Sequence, residues 1–158
     1  MRVQRVYVDT SVIGGCYDPE FSIWSNGLIQ DFRDSNYKPV LSEVVAAKVK
    51  DAPQPIQETY AEILNLHADF IQITPEAVEL SDAYQERRIL PAKFASDALH
   101  IALATVAEVD VLVSWNFKHI VHFDKIRLFN AVNLELGFKQ LQIYSPREVT
   151  TYEENVSD

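Results

Sequence analysis

Residues 6–11 read Val6-Tyr7-Val8-Asp9-Thr10-Ser11, a β-branched and aromatic run that stops on a carboxylate and two hydroxyl side chains. With Gly14 and Gly15 following, this is the pattern of a buried strand that ends in a polar turn. Acidic residues mark two further boundaries. Glu43 follows Pro39-Val40-Leu41-Ser42, and Asp97 opens the run Ala98-Leu99-His100-Ile101-Ala102. Carboxylates that meet at the carboxyl ends of parallel strands make a hard, oxygen-rich site suited to Mg2+ or Mn2+. That chemistry serves phosphodiester or phosphoryl transfer first.

Outward from this strand, Phe21, Trp24, Leu28, Ile29 and Phe32 recur at helical spacing over about residues 20–35, where Trp24 reads as a core anchor rather than a base-stacking platform. Residues 38–41 form a short second strand, and Ser42 can cap a helix whose first turn holds Glu43. Pro53 and Pro55 break the chain before a helix over about 57–67, a third apolar run follows at 70–73, and Thr74-Pro75 starts the next helix. The pattern then predicts a helix over 94–107, apolar on most faces, a strand over 109–113, a helix over about 124–136 ending at Gly137, and a late edge strand over 141–143. Strands alternating with helices of this length predict a three-layer α/β fold with a mainly parallel sheet.

A chain of 158 residues suits one domain, burying roughly 70% of the surface its unfolded form exposes. The net charge of -9 argues against a broad basic surface that grips nucleic acid by counterion release, though not against a few local cations working beside a divalent ion. Cys16 is the single cysteine, which excludes an internal disulfide and a thiolate metal cluster. The N-terminal residues lead straight into a strand pattern, and no apolar stretch approaches the roughly 20 residues needed to span a bilayer. A cytoplasmic protein without a membrane segment is expected, with residues after Val149, including Glu153, Glu154 and Asp158, solvated and frayed.

Four fragments, in order and spacing, resemble the PIN-domain nucleases and in particular the single-domain ribonuclease toxins of the VapC type: Tyr-Val-Asp-Thr-Ser-Val-Ile-Gly-Gly at 7–15, Leu-Ser-Glu at 41–43, Ser-Asp-Ala-Leu-His-Ile-Ala at 96–102 and Leu-Val-Ser-Trp-Asn-Phe at 112–117. The resemblance covers nearly the whole chain. It implies a three-layer α/β/α PIN-like nuclease domain over 1–150, with an acidic tail over 151–158. It also implies that Asp9, Glu43 and Asp97 hold Mg2+ or Mn2+, and that cleavage of RNA leaves 5′-phosphate and 3′-hydroxyl ends. The partners it implies are a small antitoxin filling the active groove and a second copy in a homodimer. Asn116 departs from the pattern, falling where many relatives carry a further aspartate. An amide there can coordinate or orient water but brings no charge, and neighbouring Asp110 and Asp124 are secondary candidates to compensate.

Each residue also has a plainer reading. Asp9 can cap the loop after the strand, Glu43 can be first-turn helix charge favoured by the dipole, and Asp97 can pair with Lys93. Ser11 and Ser114 are expected to order the Asp9 loop and the Asn116 loop or to hold water at the ion. No serine has the histidine-acid relay of a nucleophile, His100 is as suited to packing as to the site, and His67, His119 and His122 lack zinc spacing. Lys93, Lys118, His119 and Arg87 are candidates for phosphate positioning. Two other readings stay open: a degenerate PIN-like module used for protein interaction, and a metal-dependent phosphomonoester hydrolase. No phosphate-cradling glycine loop is present, Gly14-Gly15 being too short for one.

Overall fold

The computed structural model describes residues 2–152. Among them five strands form one sheet, β1 (Gln4–Val8), β2 (Tyr37–Ser42), β3 (Asp69–Ile71), β4 (Val111–Val113) and β5 (Ile143–Tyr144), in the order β3-β2-β1-β4-β5 with every pairing parallel. The helices are α1 (Thr10–Gly15), α2 (Ser22–Arg33), α3 (Glu43–Lys50), α4 (Gln54–Leu64), α5 (Pro75–Glu86), α6 (Ala95–Val106), α7 (Phe123–Glu135) and α8 (Pro146–Val149).

The period of two along each strand divides the core into two layers. Val6 and Val8 of β1, Leu41 of β2 and Val113 of β4 pack with Val12, Leu28, Val45 and Ile63 of α1 to α4. Tyr7, Val40 and Leu112 point the other way, onto Leu80, Tyr84, Ile101 and Phe129 of α5, α6 and α7. The result is the expected α/β/α sandwich. No helix among the described residues is long and apolar enough to cross a membrane.

The chain walks from β1 outward to β3, then crosses back to add β4 on the other side of β1. The order therefore reverses between β1 and β4, and a crevice opens at their carboxyl ends, the place where open parallel sheets bind ligands. Asp9 follows β1 directly and Ser114 follows β4 directly.

The structure departs from the sequence expectation in local ways. The stretch after Asp9 is a helical turn, not a simple loop: Asp9 is the N-cap of α1 and its carboxylate accepts from the Val12 amide at 3.3 Å. The helix expected from about residue 57 begins at Gln54, because Pro55 sits in the first turn, where its missing N–H is no loss. The late strand lies at Ile143–Tyr144 and is followed by the unexpected α8. Thr150 and Thr151 are not frayed. Buried Asp31 accepts from Thr150 Oγ1 at 2.8 Å, from the Thr151 amide at 3.0 Å and from Asn36 Nδ2 at 2.9 Å, which ties the chain after α8 to α2. Glu153, Glu154 and Asp158 lie outside the described residues.

Gly15 is fixed by crowding. A Cβ there would fall 2.5 Å from Ser25 Oγ and 2.6 Å from Trp115 Nε1, two atoms already joined by a 2.8 Å hydrogen bond inside the core. Gly15→Ala is expected to destabilise the fold by about 1–3 kcal/mol through overpacking. Trp115 emission should shift with it. Denaturant unfolding that gives the wild-type midpoint and an unchanged spectrum would show that the Trp115 loop yields without cost.

Candidate active site

Asp9 is the centre of the polar cluster at the carboxyl ends of β1 and β4. Ser11 Oγ donates to Asp9 Oδ1 at 2.6 Å, and Ser114 Oγ donates to Asp9 Oδ2 at 2.6 Å. Ser11 Oγ also accepts from the Trp115 amide at 2.9 Å, and Ser114 Oγ from the Asn116 amide at 2.9 Å. The two serines thus bolt the loop after β4 onto Asp9 and the first turn of α1. Asp9 is 5% exposed; burial pushes its carboxyl above the usual range against the pull of the serine and Val12 hydrogen bonds, and the charge of Asp97 pushes it further the same way.

Asp97 lies in the first turn of α6, half-buried. Burial raises its carboxyl too, opposed by positive charge at Lys48 and His119 and by the Asn116 amide. Its helix is anchored from behind. His100, one turn on and buried, shares a 2.6 Å hydrogen bond through Nδ1 with the Tyr7 hydroxyl, which in turn bonds Ser42 Oγ at 2.8 Å. Burial drives His100 down to about 3, with Lys48 adding to the effect, so the ring is neutral at physiological pH. His100 therefore packs, and it locks α6 to β1 and to the cap of α3.

Asn116 joins the cluster with its nitrogen. Its Oδ1 accepts from the backbone amides of Lys118 and His119 at 3.2 and 2.9 Å, which leaves Nδ2 to face Asp97 Oδ2 at 3.4 Å. Two backbone donors on one oxygen fix the orientation of the amide. Glu43 stands apart: its exposed carboxylate accepts from the Ile73 amide at 2.7 Å, beyond the end of β3. Asp9, Ser11, Asp97, Ser114 and Asn116 are thus linked, while Glu43 is turned to the sheet edge.

The remaining candidates divide. His119 is buried, packed on Phe94 with centroids 3.9 Å apart, and lies close to Asp97. Arg87 is occupied by Glu135 at 2.8 Å, and Lys93 lies over the Phe94 ring rather than beside Asp97. Asp110 binds Arg2 and the Arg5 amide at the opposite end of the sheet, and so does not compensate for Asn116. Lys48 was missed. In sequence it is one of two lysines in the last turn of α3, where a cation simply suits the helix dipole.

The donor chemistry bears on whether a divalent ion suits this cluster. Among the described residues neither Asp9 nor Asp97 forms a salt bridge, so two neighbouring carboxyls withdrawn from water lack a direct cationic partner. Buried carboxylates are ordinarily paired or bound to metal. The buried side-chain atoms without a hydrogen-bond partner in these residues are Thr10 Oγ1 and His119 Nδ1, on the residue after Asp9 and on the ring that acts on Asp97. A hard cation fits the Asp9–Asp97 pair. No group of three or more His, Cys, Asp or Glu side chains converges among the described residues, so a three-carboxylate cage is not assembled with Glu43 on Ile73.

Comparison with known proteins places the fold. No family model matches the sequence, and no curated protein matches it. Solved structures do. VapBC2 from Rickettsia felis, crystallised bound to a DNA fragment from its promoter, superposes with a TM-score of 0.57 at 14% identity, over 89% of this chain and 97% of that one. VapC20 from Mycobacterium tuberculosis, a sarcin-ricin loop cleaving toxin, gives 0.50 at 13% identity, over 87% and 98%. At such identities the likeness is one of fold, and the fold is PIN-like.

Proposed function

We propose that this chain is a divalent-metal-dependent endoribonuclease, with Asp9 and Asp97 holding Mg2+ or Mn2+ and Glu43 completing the set when its side chain leaves Ile73. The observation that carries the reading is the pair of adjacent carboxyls at the switch point of the sheet, both pushed upward and neither salt-bridged. When bound, the ion supplies Lewis-acid polarisation of the phosphate and charge stabilisation at the leaving oxygen.

The chain's own groups do the rest. Ser11 and Ser114 hold both oxygens of Asp9 in one orientation, and Asn116 steadies Asp97. Glu43 is exposed and held by one hydrogen bond, so rotamer exchange can release its Oε1 to accept a proton from the attacking water. Lys48 places positive charge near Asp97, where the phosphate would lie, and the His119 ring is beside it. Water adds across the phosphorus to O3′ bond: hydroxyl goes to phosphorus, and a proton to the departing 3′-oxygen. The products carry 5′-phosphate and 3′-hydroxyl ends.

The likeness to a VapBC assembly and to a sarcin-ricin loop cleaving toxin supports a further reading, that the chain is the cytoplasmic toxin of a toxin–antitoxin pair, homodimeric and restrained by a small antitoxin. Residues 1–150 would be its nuclease domain and 151–158 its tail. A second reading has one observation in its favour: with Asn116 presenting nitrogen and Glu43 on Ile73, the cluster is partly self-satisfied, as a degenerate interaction module would be. The two separate on RNA incubated with Mg2+ or Mn2+ and with EDTA. Cleavage in either ion, lost in EDTA and leaving 5′-phosphate ends, is expected. Intact RNA together with no heat of Mn2+ binding by calorimetry would leave the interaction module.

A further inference from the structure

One fully buried hydroxyl has no task in the chemistry above. Tyr7 sits in the middle of the apolar run Val6-Tyr7-Val8 and is 0% exposed, a position that a phenylalanine ring would fill as well. Its hydroxyl nonetheless has two partners, Ser42 Oγ at 2.8 Å and His100 Nδ1 at 2.6 Å, both also withdrawn from water. A phenol oxygen donates and accepts, so it can serve both at once. The imidazole also meets the phenol ring edge-on, with centroids 5.7 Å apart and planes 70° apart. Burial pushes the Tyr7 hydroxyl above its usual range, against the pull of the Ser42 hydrogen bond and with the charge of Asp9 adding to the rise, so it keeps its proton.

The two partners come from the segments that carry the acidic residues. Tyr7 pairs with Val40 across β1 and β2, so Ser42 lies two positions further along β2, as Asp9 does along β1. Ser42 immediately precedes Glu43 as the N-cap of α3, and His100 lies three residues past Asp97 on α6. Capping alone does not account for Ser42, since the bond it accepts from the Val45 amide is the longer one, at 3.4 Å. We infer that Tyr7 is a positioning residue for the cleavage site: its hydroxyl ties the chain just before Glu43 and the helix just after Asp97 to the strand that ends at Asp9, and so sets the three acidic positions against one another. This role rests on the nuclease reading and adds to it a residue that touches neither metal nor RNA. It acts on backbone positions, so it holds whether the Glu43 carboxylate is on Ile73 or turned to the site. Partners of this kind, one step behind the groups that hold an ion, set how well those groups are aimed.

Tyr7→Phe and the double variant Tyr7→Phe/His100→Leu separate positioning from stability. The single variant leaves buried Ser42 and His100 each short of a partner and should melt lower than wild type in EDTA. The double variant replaces a hydrogen-bonded pair by an apolar one and should recover most of the lost Tm. Positioning should not return with it: both variants should bind Mn2+ roughly 10- to 100-fold more weakly by calorimetry, and lose kcat on RNA by a similar factor while KM for RNA holds. Residual dipolar couplings of backbone amides in EDTA should show the first turns of α3 and α6 reoriented against β1 in either variant. Wild-type Mn2+ affinity in Tyr7→Phe overturns the role. So does affinity that recovers together with Tm in the double variant, or couplings that match wild type, and Tyr7 is then a stabilising core residue only. If Tyr7→Phe does not fold, the double variant carries the same comparison. A wild-type chain that neither binds Mn2+ nor cleaves RNA counts against the nuclease reading, and the couplings in EDTA still decide whether Tyr7 sets the spacing of the acidic segments.

Discussion

Asp9→Asn and Asp97→Asn should each lower metal-dependent RNA cleavage by roughly two to three orders of magnitude, since Lewis-acid stabilisation of this kind is worth several kcal/mol. Their effect on the metal-free fold should be the opposite of damage. Asp9 is 5% exposed and its carboxyl is raised by burial and by Asp97, so the folded state keeps a proton over a pH range where the unfolded chain has released it. The sign follows from linkage: a folded pKa above the unfolded value near 3.9 means that stability falls as pH rises from about 4 through the folded value. An amide removes that loss and can still accept from Ser11 and Val12. In EDTA, Asp9→Asn should therefore match or exceed wild type in Tm, by a margin that widens from pH 4 toward pH 8. Mn2+ should reverse the ranking at neutral pH, because only wild type gains the stabilisation that ligand binding gives the folded state. Thermal melts across pH, with and without Mn2+, check both halves. A variant whose melting difference from wild type is the same at every pH would show that Asp9 carries no buried charge.

The sandwich and the placing of Asp9 and Asp97 at the carboxyl-end crevice were legible in the sequence for one reason: both depend on periodicity and on where it stops. Val6 and Val8 alternate with Tyr7, so β1 had to be covered on both faces, and a carboxylate following it had to lie at the carboxyl end of the sheet. Asp97 opens a helix buried on most sides, which leaves its first turn as the exposed end. The α1 turn was hidden because Gly14 and Gly15 read as a break; Gly15 is there for the approach of Ser25 and Trp115, a tertiary contact that no local pattern records. Glu43 was placed correctly on α3, but the destination of an exposed side chain depends on which backbone donor is unpaired nearby, here the Ile73 amide. Lys48 acts at the site only because α3 crosses near α6.

The orientation of Asn116 changes what its replacement should do. Because Oδ1 already accepts from the Lys118 and His119 amides, an aspartate keeps that role and turns its second oxygen, in place of Nδ2, toward Asp97. Without metal, two carboxylates then face each other, and like charges in a half-buried site cost about 1 kcal/mol, or ~2–4 °C in Tm for a chain of this size. With metal, the added charge should tighten Mn2+ binding on the order of tenfold. Asn116→Asp is thus expected to melt lower than wild type in EDTA and higher in saturating Mn2+. Turnover need not rise, because tighter ground-state binding does not lower the chemical barrier. Asn116→Ala removes both the amide that steadies Asp97 and the acceptor for the loop after it, and should reduce cleavage by roughly 10- to 100-fold. Calorimetry with Mn2+, melts in both conditions and RNA cleavage across a metal titration distinguish the three proteins. If wild type, Asn116→Ala and Asn116→Asp respond alike to metal, then Asn116 merely caps its own loop, and the charge balance of the site is set elsewhere.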